Sequence, residues 1–250
     1  MNKWFYPHIP PAWISNPFAR QAAGKTFKYI SEIIPADWIT DHPDKVLWKD
    51  DRISYSINSY GYREEEYSEH YENLILGFGH STVAGNAVAN EDIFLRQIES
   101  SLPNTKALNF GIAGCSSDTV ARIASCTIPY FITKCKKLTV CVLWPQDVRR
   151  EIMLDNFQMS WQPTMTSPFE QFPLLIDETS NKYNLEKNKT MLDVICRAYD
   201  ASLYTVPYKL YQKALDMPRA RNNIDPSAEA HKMFATFILN EIAQETQIQS

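Results

Sequence analysis

From residue 73 onward the chain repeats one pattern, a short apolar run followed by a stretch with helical spacing. The runs are Leu74-Ile75-Leu76-Gly77-Phe78, Ala107-Leu108-Asn109-Phe110, Leu138-Thr139-Val140-Cys141-Val142-Leu143 and Leu203-Tyr204-Thr205-Val206. Their shortness, continuity and β-branched content read as buried strands. Helical spacing is predicted over residues 91–102, 119–129, 190–201 and 227–243, the last carrying Met233, Phe234, Phe237, Ile238 and Ile242 on one stripe. Alternation of this kind calls for parallel strands joined by crossover helices. The expected fold class is therefore α/β, a three-layer α/β/α arrangement with a mainly parallel sheet. Sites in such sheets form beyond the carboxyl ends of the strands, so chemistry is expected just after residues 78, 110, 143 and 206. No internal repeat or low-complexity tract interrupts the pattern.

The chain has 250 residues, enough for one large domain or two small ones with a sizeable core. Its apolar fraction of 44% and charged fraction of 22% exclude wholesale disorder. A net charge of −4 offers no polyanion footprint, so no nucleic-acid partner is expected. The five cysteines, Cys115, Cys126, Cys135, Cys141 and Cys196, are odd in number and form no Cys-x-x-Cys pair. They read as reduced thiols in a cytoplasmic or other reducing compartment, not as a disulfide framework or zinc site. No signal peptide is evident at Met1–Pro7, and no apolar run approaches the ~20 residues of a membrane span. Gly77-Phe78-Gly79 lacks the third glycine of a dinucleotide fingerprint and no Walker loop occurs, so neither nucleotide binding nor any cofactor is expected.

Two segments depart from the alternation. Residues 1–54 form a Pro- and aromatic-rich arm, with Pro7, Pro10, Pro11 and Pro17 among Trp4, Phe5, Tyr6, Trp13 and Phe18. Proline fixes φ and removes a donor, so an extended arm is expected. It packs either on its own domain or on a partner subunit, as in a homo-oligomer or assembly. Residues 153–189 form an insertion within the domain of residues 55–250, rich in aromatic residues, Met and Pro. It reads equally as a lid, a satellite hydrophobic cluster or an interface.

Polar blocks sit where the strands end. They are Gly79-His80-Ser81-Thr82-Val83-Ala84-Gly85, Asn109-Phe110-Gly111-Ile112-Ala113-Gly114 and Trp144-Pro145-Gln146-Asp147-Val148-Arg149-Arg150. A fourth, Arg221-Asn222-Asn223-Ile224-Asp225-Pro226-Ser227, precedes the terminal helix. Together, in this order, they resemble the SGNH (GDSL-type) hydrolase family, with Asn58-Ser59-Tyr60-Gly61-Tyr62-Arg63 similar to a segment upstream of the first block in some members. The resemblance implies a flavodoxin-like layout and esterase, lipase or carbohydrate O-deacetylase chemistry, hence a glycan or acyl-ester ligand. It places the nucleophile at Ser81 and oxyanion-hole amides at Ser81 and Gly114.

The rest of the family's catalytic set is replaced. His80 stands where the family has Asp, Gln146 where it has the oxyanion Asn, Asn222 where it has the triad Asp, and Asp225 where it has the catalytic His. A carboxylate near 3.9 is a weaker base than an imidazole near 6.5 by about 2.6 pH units. Loss of a triad member typically costs on the order of 10⁴ to 10⁶ in turnover. His80 could pair with Asp225 near Ser81, but neighbouring residues on an extended strand point to opposite sides, which sets His80 away from the Ser81 hydroxyl. Plain structural roles also fit: Asp225-Pro226 as a helix start, Asn222 as a turn residue, His231 as a core histidine and Cys115 as a buried thiol.

Two function classes follow. In one, the protein keeps the scaffold, has lost the Ser-His-Asp chemistry, and serves as a binding or structural protein. In the other it is a serine esterase or O-deacetylase with a rebuilt site, Ser81 as nucleophile and Asp225, with or without His80, as base.

Overall fold

The computed structural model describes residues 24–28, 53–154, 157–161, 178–218 and 225–249. Its centre is a four-stranded parallel sheet of β3 (Tyr71–Gly79), β4 (Thr105–Gly111), β5 (Cys135–Leu143) and β8 (Ser202–Thr205), in the order β4-β3-β5-β8. All four expected strands are present. Two antiparallel ribbons flank the sheet: β1 (Thr26–Lys28) with β2 (Ser54–Ser56), and β6 (Arg150–Leu154) with β7 (Phe157–Trp161).

The helices are α1 (Ser81–Ala84), α2 (Phe94–Ser101), α3 (Ser117–Phe131), α4 (Glu178–Ala198), α5 (Tyr208–Leu215) and α6 (Ala228–Gln249). They divide between the sheet faces as period-2 side-chain alternation requires. On one face Leu74, Leu76, Phe78, Leu138, Val140 and Val142 meet α3 and Leu192 and Cys196 of α4. On the other, Ile75, Cys141 and Leu143 meet α1, α2 and Phe234 and Ile238 of α6. This is the three-layer α/β/α architecture. Gly77 sits mid-strand because a Cβ there would lie 2.2 Å from Leu95 Cδ1, so α2 packs directly on the β3 backbone.

One helix departs from its expected span. The helix predicted over 190–201 begins at Glu178 and takes in the C-terminal part of the expected insertion. Its first turns bury Asn181 and Asn188 where apolar residues would have shown a period. Asn188 Nδ2 donates to Ser117 Oγ at 2.9 Å and to an Asp118 carboxylate oxygen at 2.9 Å, so a polar seam docks this half of α4 on α3. The insertion opens as the β6–β7 ribbon; its stretch 162–177 lies outside the described residues, as do residues 1–23 and 29–52 of the arm. No helix among the described residues is long and apolar enough to cross a membrane.

Candidate functional site

The parallel register brings the first three blocks to one edge. Gly79 pairs with Gly111 on one side and Leu143 on the other, so β3, β4 and β5 end level. Ser81, Gly114 and Gln146 each follow within three residues of those ends. β4 and β5 lie on opposite sides of β3, which makes the carboxyl end of β3 the place where the strand order reverses. A crevice at such a point is where open α/β sheets bind ligands.

Local geometry fixes Ser81 at the start of α1. Gly79 adopts φ 151°, and a Cβ on it would lie 2.3 Å from the Leu143 carbonyl oxygen. Gly111 lets β4 pass under α1, since its Cβ would lie 2.1 Å from the Ala84 amide nitrogen. Asn109 ties the same two elements: its Oδ1 accepts from the Gly111 N–H at 2.8 Å and its Nδ2 donates to the Val83 carbonyl at 2.8 Å. Gly85 closes the turn in the left-handed region at φ 73°.

His80 differs from the expectation that it faces away from Ser81. The strand ends at Gly79 and His80 is the N-cap of α1, so the two-sided alternation of a strand no longer applies. Its Nδ1 accepts from the Thr82 N–H at 3.5 Å and lies 3.5 Å from Ser81 Oγ. His80 is buried, with its ring edge-on to Tyr211 of α5 at 5.1 Å between centroids. Burial, reinforced by the Arg149 guanidinium, lowers its pKa to about 3, so the imidazole is neutral. An Nδ1 that accepts a backbone N–H leaves the ring proton on Nε2.

Asp225 is also buried, just before α6. Its charge is felt by Tyr55, whose hydroxyl accepts from the Ala87 N–H at 2.7 Å in the turn after α1. His231 in α6 accepts from the Phe94 N–H at the start of α2 through Nδ1 at 3.2 Å. The start of the last helix and the Ser81 loop therefore belong to the same edge of the molecule. His231 is fully buried and burial lowers its pKa to about 3, consistent with a core histidine.

The remaining positions vary. Ser81 is half-buried, while Gly114, at φ 75°, and Gln146 are exposed just beyond the strand ends. Asn222 lies outside the described residues. Cys115 is buried and its thiol is pushed up to about 12 by burial, which makes it a poor nucleophile. Arg150 donates to the Ser180 carbonyl at 2.7 Å, tying the β6 ribbon to α4. Among the described residues no cluster of His, Cys, Asp and Glu has the makings of a metal site.

Three residues at this edge escaped the sequence reading. Arg63 and Tyr55 bond the turn that follows α1, at Gly85 and Ala87, and Tyr211 packs on its N-cap His80, yet none of the three lies in a strand-end block. Only Arg63 carried a signal, as the last residue of the segment upstream of the first block.

No family model matches the chain, and no curated protein does. Solved structures to which it is similar include a lipolytic G-D-S-L family protein from Veillonella parvula, at TM-score 0.36 and 11% identity over 67% of this chain and 97% of that one. A psychrotrophic esterase from a Pseudoalteromonas species matches at TM-score 0.40 and 8% identity over 70% and 100%. An acetylxylan esterase from Geobacillus stearothermophilus matches at TM-score 0.35 and 11% identity over 70% and 96%.

Proposed function

We propose that this is an SGNH-type scaffold whose crevice binds a small ligand, an acyl ester or a glycan, without hydrolysing it by Ser-His-Asp chemistry. The observation that carries this reading is the state of the imidazole beside Ser81. His80 is buried and neutral, its pKa lowered to about 3, and its Nδ1 lone pair already faces the Thr82 N–H. A base that weak takes a serine proton poorly, because general-base efficiency requires a pKa near the working pH. The family's base position holds a carboxylate, Asp225, in place of an imidazole, and its oxyanion Asn position holds the exposed Gln146. In this reading the Ser81 hydroxyl and the Ser81 and Gly114 amides act as hydrogen-bonding groups for a ligand oxygen.

One observation favours a second reading, a serine esterase or O-deacetylase with a rebuilt site. His80 Nδ1 approaches Ser81 Oγ to 3.5 Å. A bound substrate that shortened this contact and drew Nδ1 from the Thr82 amide would give Ser81 an adjacent base.

A serine-directed phosphonate and p-nitrophenyl acetate separate the two. Binding without chemistry predicts no Ser81 labelling and no hydrolysis above that of Ser81→Ala, while an O-acetylated oligosaccharide perturbs the Ser81 and Gly114 amide resonances. Labelling and turnover confined to the wild type would establish the second reading and overturn the first.

A further inference from the structure

The turn that follows α1 is held from outside the strand-end blocks. Gly85 adopts φ 73° and Ala87 φ 60°, a left-handed conformation that an alanine adopts only under constraint. This turn holds the Ser81 carbonyl, which accepts from the Asn86 N–H at 3.0 Å and from the Gly85 N–H. Its constraint comes from Tyr55 and Arg63. Arg63 donates through Nη1 to the Gly85 carbonyl, and through Nη2 to the Val88 carbonyl at 3.1 Å and to the Ser54 carbonyl at 2.8 Å. Its guanidinium stands 4.0 Å from the Tyr55 ring centroid. The Tyr55 hydroxyl takes the Ala87 N–H at 2.7 Å. Both side chains are buried. Tyr55 lies in β2, which pairs with β1 in register Phe27 to Tyr55.

We propose that Tyr55 and Arg63 are positioning residues that brace the Ser81 turn against the β1–β2 ribbon, so that the pose of Ser81 depends on the segment that joins the N-terminal arm to the domain. A guanidinium suits the task because its rigid fork can serve three carbonyls on two segments at once, whereas a lysine ammonium is a single point donor group. The phenol complements it because its oxygen accepts the Ala87 N–H, a task for which a guanidinium, a donor only, has no atom. The inference rests on the reading of Ser81 as the site's central residue, but its test does not require that Ser81 react.

The test is amide hydrogen exchange and the Ser81 Cβ chemical shift by NMR on the full chain. Tyr55→Phe deletes one oxygen, and Arg63→Lys keeps the charge. Tyr55→Phe is expected to speed exchange at Ala87 by roughly tenfold, the loss of one hydrogen bond, and to move the Ser81 shift. Arg63→Lys should do the same at Asn86. Leu76 in β3 and Val140 in β5 should keep their exchange rates. An unmoved Ser81 shift in Tyr55→Phe would overturn the proposal, as would equal acceleration at Leu76 and Val140, which marks general destabilisation. Should Arg63→Lys fail to fold, Tyr55→Phe alone decides. Phosphonate labelling speaks to the function of Ser81 and leaves this result untouched.

Discussion

His80 Nδ1 lies 3.5 Å from Ser81 Oγ and faces the Thr82 N–H at the same distance. One lone pair thus stands between a backbone donor and a hydroxyl. The backbone donor is fixed by α1, while the hydroxyl can rotate. Burial, with the Arg149 guanidinium, lowers the pKa of this imidazole to about 3.

The proposed binding role makes a direct prediction: building the family's base, orienter and oxyanion donor into the site should raise hydrolysis. The triple variant Gln146→Asn, Asn222→Asp, Asp225→His is expected to hydrolyse p-nitrophenyl acetate at least about tenfold faster than wild type, a small part of what an intact triad supplies. Adding Ser81→Ala should remove the gain. Steady-state rates for the three proteins check this.

Acid should destabilise the fold through its buried histidines. His80 and His231 each have a pKa lowered from 6.5 to about 3, by burial first and then by Arg149 and Arg63 respectively. Below pH 6.5 the unfolded chain takes up a proton at each position and the folded chain does not. Stability therefore falls as pH drops from 6.5 towards 3, by about 1.4 kcal/mol per pH unit for each histidine. Urea unfolding at pH 7, 5.5 and 4.5 measures the slope. His80→Asn, whose Oδ1 can take over the capping role of Nδ1, should remove one histidine's share of it.

The ion pairs should divide sharply by burial. The Glu64 carboxylate is sealed from solvent, accepts from the Asn109 N–H at 2.8 Å and pairs with Arg96. Arg96→Met strands that charge and should cost about 3–5 kcal/mol. Lys136→Met, which removes an exposed 2.8 Å pair with Glu72, should cost less than about 1 kcal/mol. Denaturant midpoints distinguish the two.

Two glycines at the same edge should respond differently to a methyl group. Gly111→Ala drives a Cβ to 2.1 Å from the Ala84 amide nitrogen and must shift α1, so a loss of about 3 kcal/mol or more is expected. Gly114→Ala meets no atom within 4 Å and bears only the strain of φ 75°, about 1–2 kcal/mol. Thermal melts of the two variants, with wild type as reference, give the difference.

The central strands of the sheet were legible because β3, β4 and β5 bury both faces over their C-terminal halves and so read as apolar runs, while the edge strand β8, only half-buried, showed itself through Leu203–Val206. The first half of α4 was not, because Asn181 and Asn188 are its buried residues there and a polar seam has no hydrophobic period. At the site, Ser81, Gly114 and Gln146 could be placed because each follows a strand end. The direction of His80 could not, since it depends on where the strand stops and α1 starts, a boundary set by Gly79 against the Leu143 carbonyl.

The amino-acid sequence by itself determined the alternation of strands and helices, the edge where polar residues gather, and the presence of a carboxylate, Asp225, just before the last helix. Each is a property of residue type and spacing along the chain. Only the tertiary structure decided that His80 is neutral and turned to Ser81, and that Tyr55 and Arg63 grip the turn behind it. Those facts rest on burial and on contacts between segments remote in sequence, 22 and 25 residues apart for the Arg63 bonds to Gly85 and Val88 and 32 for Tyr55 to Ala87, and no local pattern encodes such distances.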